Sequence, residues 1–124
     1  MARTVIRGEQ IKDNSVTGAD VDEGSLRYTV RDFNSSGDVL VSDYCIRCTS
    51  GGITLNLPTR SNNGGHVVVV KDAMGNAGSS PIVIDASGDE TIDGGLTHRM
   101  SENYESVTLI CDGINGWMVV GIVS

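Results

Sequence analysis

The sequence predicts an all-β protein, a compact β-sandwich or barrel-like domain preceded by an extended N-terminal arm. Three observations carry that prediction. Val and Ile outnumber Leu among the apolar residues, and β-branched side chains suit strands. Gly supplies 16 of the 124 residues while aromatics make up only 4%, a composition of short strands and tight turns. Short apolar runs recur between clusters of Gly, Asn, Asp and Ser, which are turn-forming residues. The length suits one domain with a short appendage.

The chain divides near residue 27, into an arm over residues 1–26 and a β-domain over residues 27–124. In the arm, Ile6, Ile11, Val16, Val21 and Leu26 stand five apart, and the positions between them are nearly all polar or small. A period of five is neither the 3.6 of a helix nor the 2 of a strand. Gly8, Gly18 and Gly24 further oppose a helix. One large apolar side chain in five is too little to offset the ordering entropy of a lone segment. Five blocks are also too few to stack as a free-standing coil of repeats, although Thr17-Gly18-Ala19-Asp20-Val21 resembles one pentapeptide unit. The arm is therefore expected to gain order only against other copies or a docking surface. Arg3, Arg7 and Lys12 make its first part basic, and Asp13, Asp20, Asp22 and Glu23 make its second part acidic.

Within the β-domain, Val39 through Cys48 reads as one extended stretch. Ile53-Thr54-Leu55-Asn56-Leu57 alternates, with Ile53, Leu55 and Leu57 facing inward, and Pro58 closes it. Val67-Val68-Val69-Val70 is apolar on both faces and is expected to be a central strand. Ile82-Val83-Ile84 and a short run at Thr91-Ile92 follow. Val107–Cys111 and Trp117–Val123 close the domain, joined by a hairpin turn at Asp112-Gly113-Ile114-Asn115-Gly116. The sum is seven or eight short strands.

Charge and chemistry narrow the function. The formal net charge of -7 argues against general nucleic-acid binding, which needs a surplus of Lys and Arg. No apolar run approaches bilayer-spanning length, and the first residues hold no apolar stretch of signal-peptide size. Synthesis in the cytoplasm, without export by that route and without a membrane partner, is the expectation. Cys45 and Cys48 form a C-x-x-C, but on a strand residues three apart point to opposite faces, a poor geometry for a shared metal or a redox dithiol. With Cys111 the cysteine count is odd, so no disulfide framework is expected. His66 and His98 lie in no catalytic motif and read as surface residues. Asp85, Asp89, Glu90 and Asp93 lack the ligand spacing of a calcium loop and read as solvated turn carboxylates. Gly75, Gly78 and Gly88 form no phosphate loop. No active site, metal or cofactor is expected.

Several motifs carry a resemblance. These are Ile53-Thr54-Leu55-Asn56-Leu57-Pro58, Gly75-Asn76-Ala77-Gly78, Glu90-Thr91-Ile92-Asp93-Gly94 and the Asp112-Gly113 turn before Trp117. Over about residues 39 to 121 the chain resembles a recurrent β-domain of bacteriophage virion proteins, found in tail fibres, tail spikes, head fibres and capsid decoration proteins. Ile11-Lys12-Asp13-Asn14-Ser15-Val16 and Val21-Asp22-Glu23-Gly24-Ser25-Leu26 likewise look like segments that precede phage fibre domains. Cys45-Ile46-Arg47-Cys48 departs from the Val/Thr-rich strand expected there. The resemblance implies a structural virion protein, typically a homotrimer, and the lack of any active-site motif makes a non-enzymatic role the expectation. One arm and one domain suit a decoration, cement or head-fibre protein better than a tail fibre, so the head surface of the virion is the expected location. The phage major capsid protein or another virion component is the expected partner. On that reading Arg3, Ile6, Arg7, Ile11, Val16, Val21 and Leu26 make the capsid or inter-subunit contacts. The alternative is a short tail fibre or adhesin module that binds a host receptor; low aromatic content counts against a sugar platform, though Tyr28, Tyr44, Tyr104 and Trp117 leave room for one. A glycan-cleaving enzyme would need positioned carboxylates on a longer scaffold.

Overall fold

A computed structural model describes residues 27–124. They form ten strands, and no helix occurs among the described residues. In chain order the strands are β1 (Val30–Phe33), β2 (Gly37–Asp38), β3 (Cys45–Cys48), β4 (Thr54–Asn56), β5 (Val67–Asp72), β6 (Ile82–Asp85), β7 (Thr91–Ile92), β8 (Thr97–Met100), β9 (Ser106–Cys111) and β10 (Gly116–Val123). They build two mixed sheets, ordered β1-β3-β5-β9-β10-β7 and β2-β4-β6-β8.

The first six strands alternate between the sheets. The chain lays down a strand in one layer, crosses to the other and returns. Each return places the new strand parallel to its predecessor, so β1, β3 and β5 pair in parallel with Val30, Cys45 and Val69 in register. β2, β4 and β6 do the same in the second layer, with Asp38, Asn56 and Asp85 in register. The winding ends with β8, which pairs antiparallel to β6, and with β9, which pairs antiparallel to β5. The β9–β10 hairpin then extends the larger sheet.

Period-2 alternation drives this layering, because every strand of β5 and β9 type turns alternate side chains inward. Ile46, Val68, Val70, Val107, Leu109 and Trp117 from the larger sheet meet Leu55, Ile82, Ile84 and Met100 from the smaller one, and all are essentially fully buried. At about 1.5–3 kcal/mol per large buried side chain, this seam supplies the main drive for folding.

Ile53, Leu55 and Leu57 face inward as the alternation predicts. The 112–116 hairpin also forms, with Asp112 N–H donating to the Gly116 carbonyl at 2.9 Å. Three expectations need correction. Residues 39–48 are not one extended stretch, since the Asp43 N–H bonds the Leu40 carbonyl and a turn at Val41-Ser42 separates β2 from β3. β5 is internal in its sheet as expected, but Val67 and Val69 are only half-buried, because among the described residues no layer covers their face. Finally, the strand count is ten rather than seven or eight. β1, β2 and β8 carry too few apolar residues to stand out and are held by their ladders.

Candidate functional site

The two outer faces of the sandwich differ in chemistry. On the smaller sheet the outward residues are Asp38, Thr54, Asn56, Val83, Asp85, Thr97 and Arg99. Asn56 Nδ2 donates to Asp38 Oδ1 at 3.0 Å along this ladder. That surface suits water.

On the larger sheet the outward residues include Val30, Cys45, Val67, Val69, Ile110, Met118 and Val123. The charges of this face are gathered in one row, Asp32, Arg47 and Lys71. Within that row Arg47 forms an exposed ion pair with Asp32 at 2.8 Å. Past Val119, β10 is also exposed on the side that elsewhere faces the core. Ile122 lies opposite fully buried Val107 yet is 54% exposed, and Val120 and Val123 are 60% and 68% exposed. β7 covers the far edge of β10 only at Gly116 and Trp117. Contiguous apolar surface of this kind marks contact sites.

Rigid loops set the frame beneath these faces. Asp72 ends β5 fully buried, and its carboxylate accepts from the backbone N–H groups of Met74, Gly75, Ala77 and Tyr104 at 2.9–3.3 Å. Burial alone pushes this carboxyl up, but the amide donors outweigh it and hold it below the usual range. Tyr104 adopts φ 62° and packs over Gly75, where a Cβ would stand 2.5 Å from the ring. Lys71 Nζ donates to the Tyr104 carbonyl. The motif Asp72…Gly75-Asn76-Ala77-Gly78 is therefore a loop staple and not a ligand site.

A second staple joins β1 to the β2–β3 turn. Arg31 Nε and Nη2 grip the Asp43 carboxylate at 3.0 and 2.7 Å, and Leu40 N–H adds a bond at 2.8 Å. Burial raises the Asp43 carboxyl, and these bonds more than reverse the shift. In the last hairpin Asp112 Oδ1 accepts from Ile114, Asn115 and Gly116 N–H, which lowers its pKa.

The remaining candidates also have structural roles. Cys45 and Cys48 sit on opposite faces of β3, as strand geometry requires, and burial pushes the Cys48 thiol up to about 12. Cys111 is buried and also raised, chiefly by desolvation. His66 and His98 are not surface residues. Both are half-buried, and His66 Nε2 lies 2.8 Å from the Asp43 carbonyl while its ring meets the buried Trp117 edge-on. His66 follows a Gly-Gly loop and His98 lies in a polar stretch of sequence, yet in space one meets Trp117 and the other pairs with Ile84 of β6. Of the acidic cluster, Glu90 binds Thr59 Oγ1 and Arg60 N–H at 2.8 and 2.9 Å, and Asp93 accepts from Val119 N–H at 3.3 Å. Among the described residues no group of three or more His, Cys, Asp or Glu could hold a metal ion.

Arg3, Ile6, Arg7, Ile11, Val16, Val21 and Leu26 all lie outside the described residues. The outer face of the larger sheet is an apolar surface, and a candidate for contact, that sequence reading missed. Its signal was present in the absence of any charge from Gly113 to Ser124. No protein-family model matches the chain, and a search of curated proteins finds no match.

Proposed function

We propose that the chain is a structural, non-enzymatic decoration protein of a bacteriophage particle, a homotrimer that docks on the capsid through residues 1–26 and displays its β-domain outward. The observation that carries this reading is the division of surface. One sheet face and the second half of β10 offer apolar area to neighbours, while the other sheet face offers polar groups to water. The five-residue apolar period of residues 1–26 and the resemblance to virion β-domains support the same role. Its output is mechanical: many weak contacts, multiplied by symmetry, brace the shell. The test is quantitation of the chain in purified phage particles, with heat release of DNA measured with and without it. Hundreds of copies and a lower release temperature in its absence are expected. A chain missing from the particle would overturn the reading.

A second reading, a short tail fibre or adhesin, is favoured by one observation. Tyr28 is 76% exposed and stacks on Tyr44 with ring centroids 4.2 Å apart, a surface a sugar ring could cover. Trp117 takes no part in it, being buried. A handful of copies per particle together with glycan-array binding would select this reading.

A further inference from the structure

We propose that the second half of β10 is the subunit contact of the folded domain, and that it packs against two neighbouring copies of this chain in a closed ring. The inference deepens the homotrimer part of the proposed function and rests on it. It moves a subunit contact from residues 1–26 into the β-domain.

Three features of β10 converge. The strand is apolar on both faces at once: Ile122 projects on the side of buried Val107, and Val123 on the side of Ser106. Both are more than half exposed. An isologous dimer covers one face of such a ribbon, whereas a head-to-tail ring brings a different neighbour to each face. The outer edge of β10 beyond Val119 also has no strand partner among the described residues. Unpaired strand edges attract further chains.

Charge identifies the occupant. Gly113 to Ser124 carry no charged side chain, in a chain whose formal net charge is -7. Copies of so acidic a chain repel one another least where charge is absent, and β10 is such a place. Residues 1–26 of the same chain are a poorer cover. They carry eight charged side chains, and laid out as a strand the successive members of the row from Ile6 to Leu26 would stand about 17 Å apart. The cluster from Val120 to Val123 spans only about 10 Å, so such a row would meet it with one side chain. A second β10, with the same density of apolar groups, matches it in spacing and neutrality.

The experiment is native mass spectrometry of the full chain, wild type and Ile122→Asp/Val123→Asp, with fold judged by Trp117 emission. The wild type is expected as three or more copies. The double variant is expected as a folded monomer at concentrations where the wild type is fully assembled. A wild type of one or two copies, or a folded double variant of wild-type mass, would overturn the proposal. If the variant does not fold, hydrogen exchange on the wild type decides. Amides from Val120 to Val123 should exchange at least tenfold faster after dilution below the assembly range, and exchange independent of concentration would refute the contact. Particle binding separates the two readings. An assembled protein that binds no particle loses the decoration role and keeps this contact. A particle-bound protein whose double variant keeps its mass loses the contact and keeps the role.

Discussion

The two sheets share one core but face different surroundings. On the smaller sheet, the outward row Asp38, Asn56, Asp85 and Thr97 is polar from edge to edge. On the larger sheet, Val67, Ile110 and Met118 form one outward row, and Val30, Cys45 and Val69 form another that continues into Thr108 and Gly121. Both sheets alternate with the same period of 2, so alternation alone does not tell which outward face is meant for water. The identity of the outward residues does. A strand such as β5 with valine in both phases offers apolar groups on two sides, and the described residues bury only one of them.

Changes between the layers should strike both sheets together. The largest effect is expected for Asp72→Ala, which strands four backbone donors beneath the loop. A loss of at least about 3 kcal/mol, in a single urea transition, would show that the two faces belong to one cooperative body. Two separate transitions would break the comparison into independent halves. Gly116→Ala comes next. Gly116 has φ 146°, and a Cβ there would stand 2.3 Å from the Thr91 carbonyl oxygen of β7. A cost of about 2–3 kcal/mol is expected, read as a shift in urea midpoint without a change in slope.

The pH dependence follows from the buried groups. Asp43 and Asp72 are depressed in the folded state, so their stabilising contribution is present above the unfolded carboxylate range near pH 4 and is lost as pH falls through their folded values. Cys48 is raised, so its contribution is full below about pH 9 and declines as pH climbs toward about 12. Melting temperature across pH should therefore fall at both ends. The smallest effects separate the outer faces. Asn56→Ala on the polar face should change stability by no more than about 0.5 kcal/mol and leave assembly intact. Met118→Asp on the apolar face should be equally mild for the fold but should weaken self-association in sedimentation.

Much of the fold was legible in the sequence. The inward set Ile53, Leu55 and Leu57, the internal place of β5 and the hairpin around Asp112 all follow from alternation and turn chemistry. The parallel winding between layers was not legible, because pairing partners such as Cys45 and Val69 are distant in sequence and nothing local marks them. β8 was missed because Thr97-His98-Arg99-Met100 holds a single buried apolar side chain, and its ladder with β6 supplies the rest. The apolar outer face of the larger sheet was not recognised from sequence. A neutral, apolar β10 reads as core until the register shows Ile122 projecting where no opposing layer of the described residues covers it.

Carbene footprinting of the full chain, assembled and then diluted to single copies, tests the contrast between the two faces most directly. The expected result is strong protection in the assembled state at Met118, Val120, Ile122 and Val123, with Thr54, Asn56, Val83 and Thr97 labelled equally in both states. Equal labelling of β10 in both states, or protection confined to the smaller sheet, would contradict it.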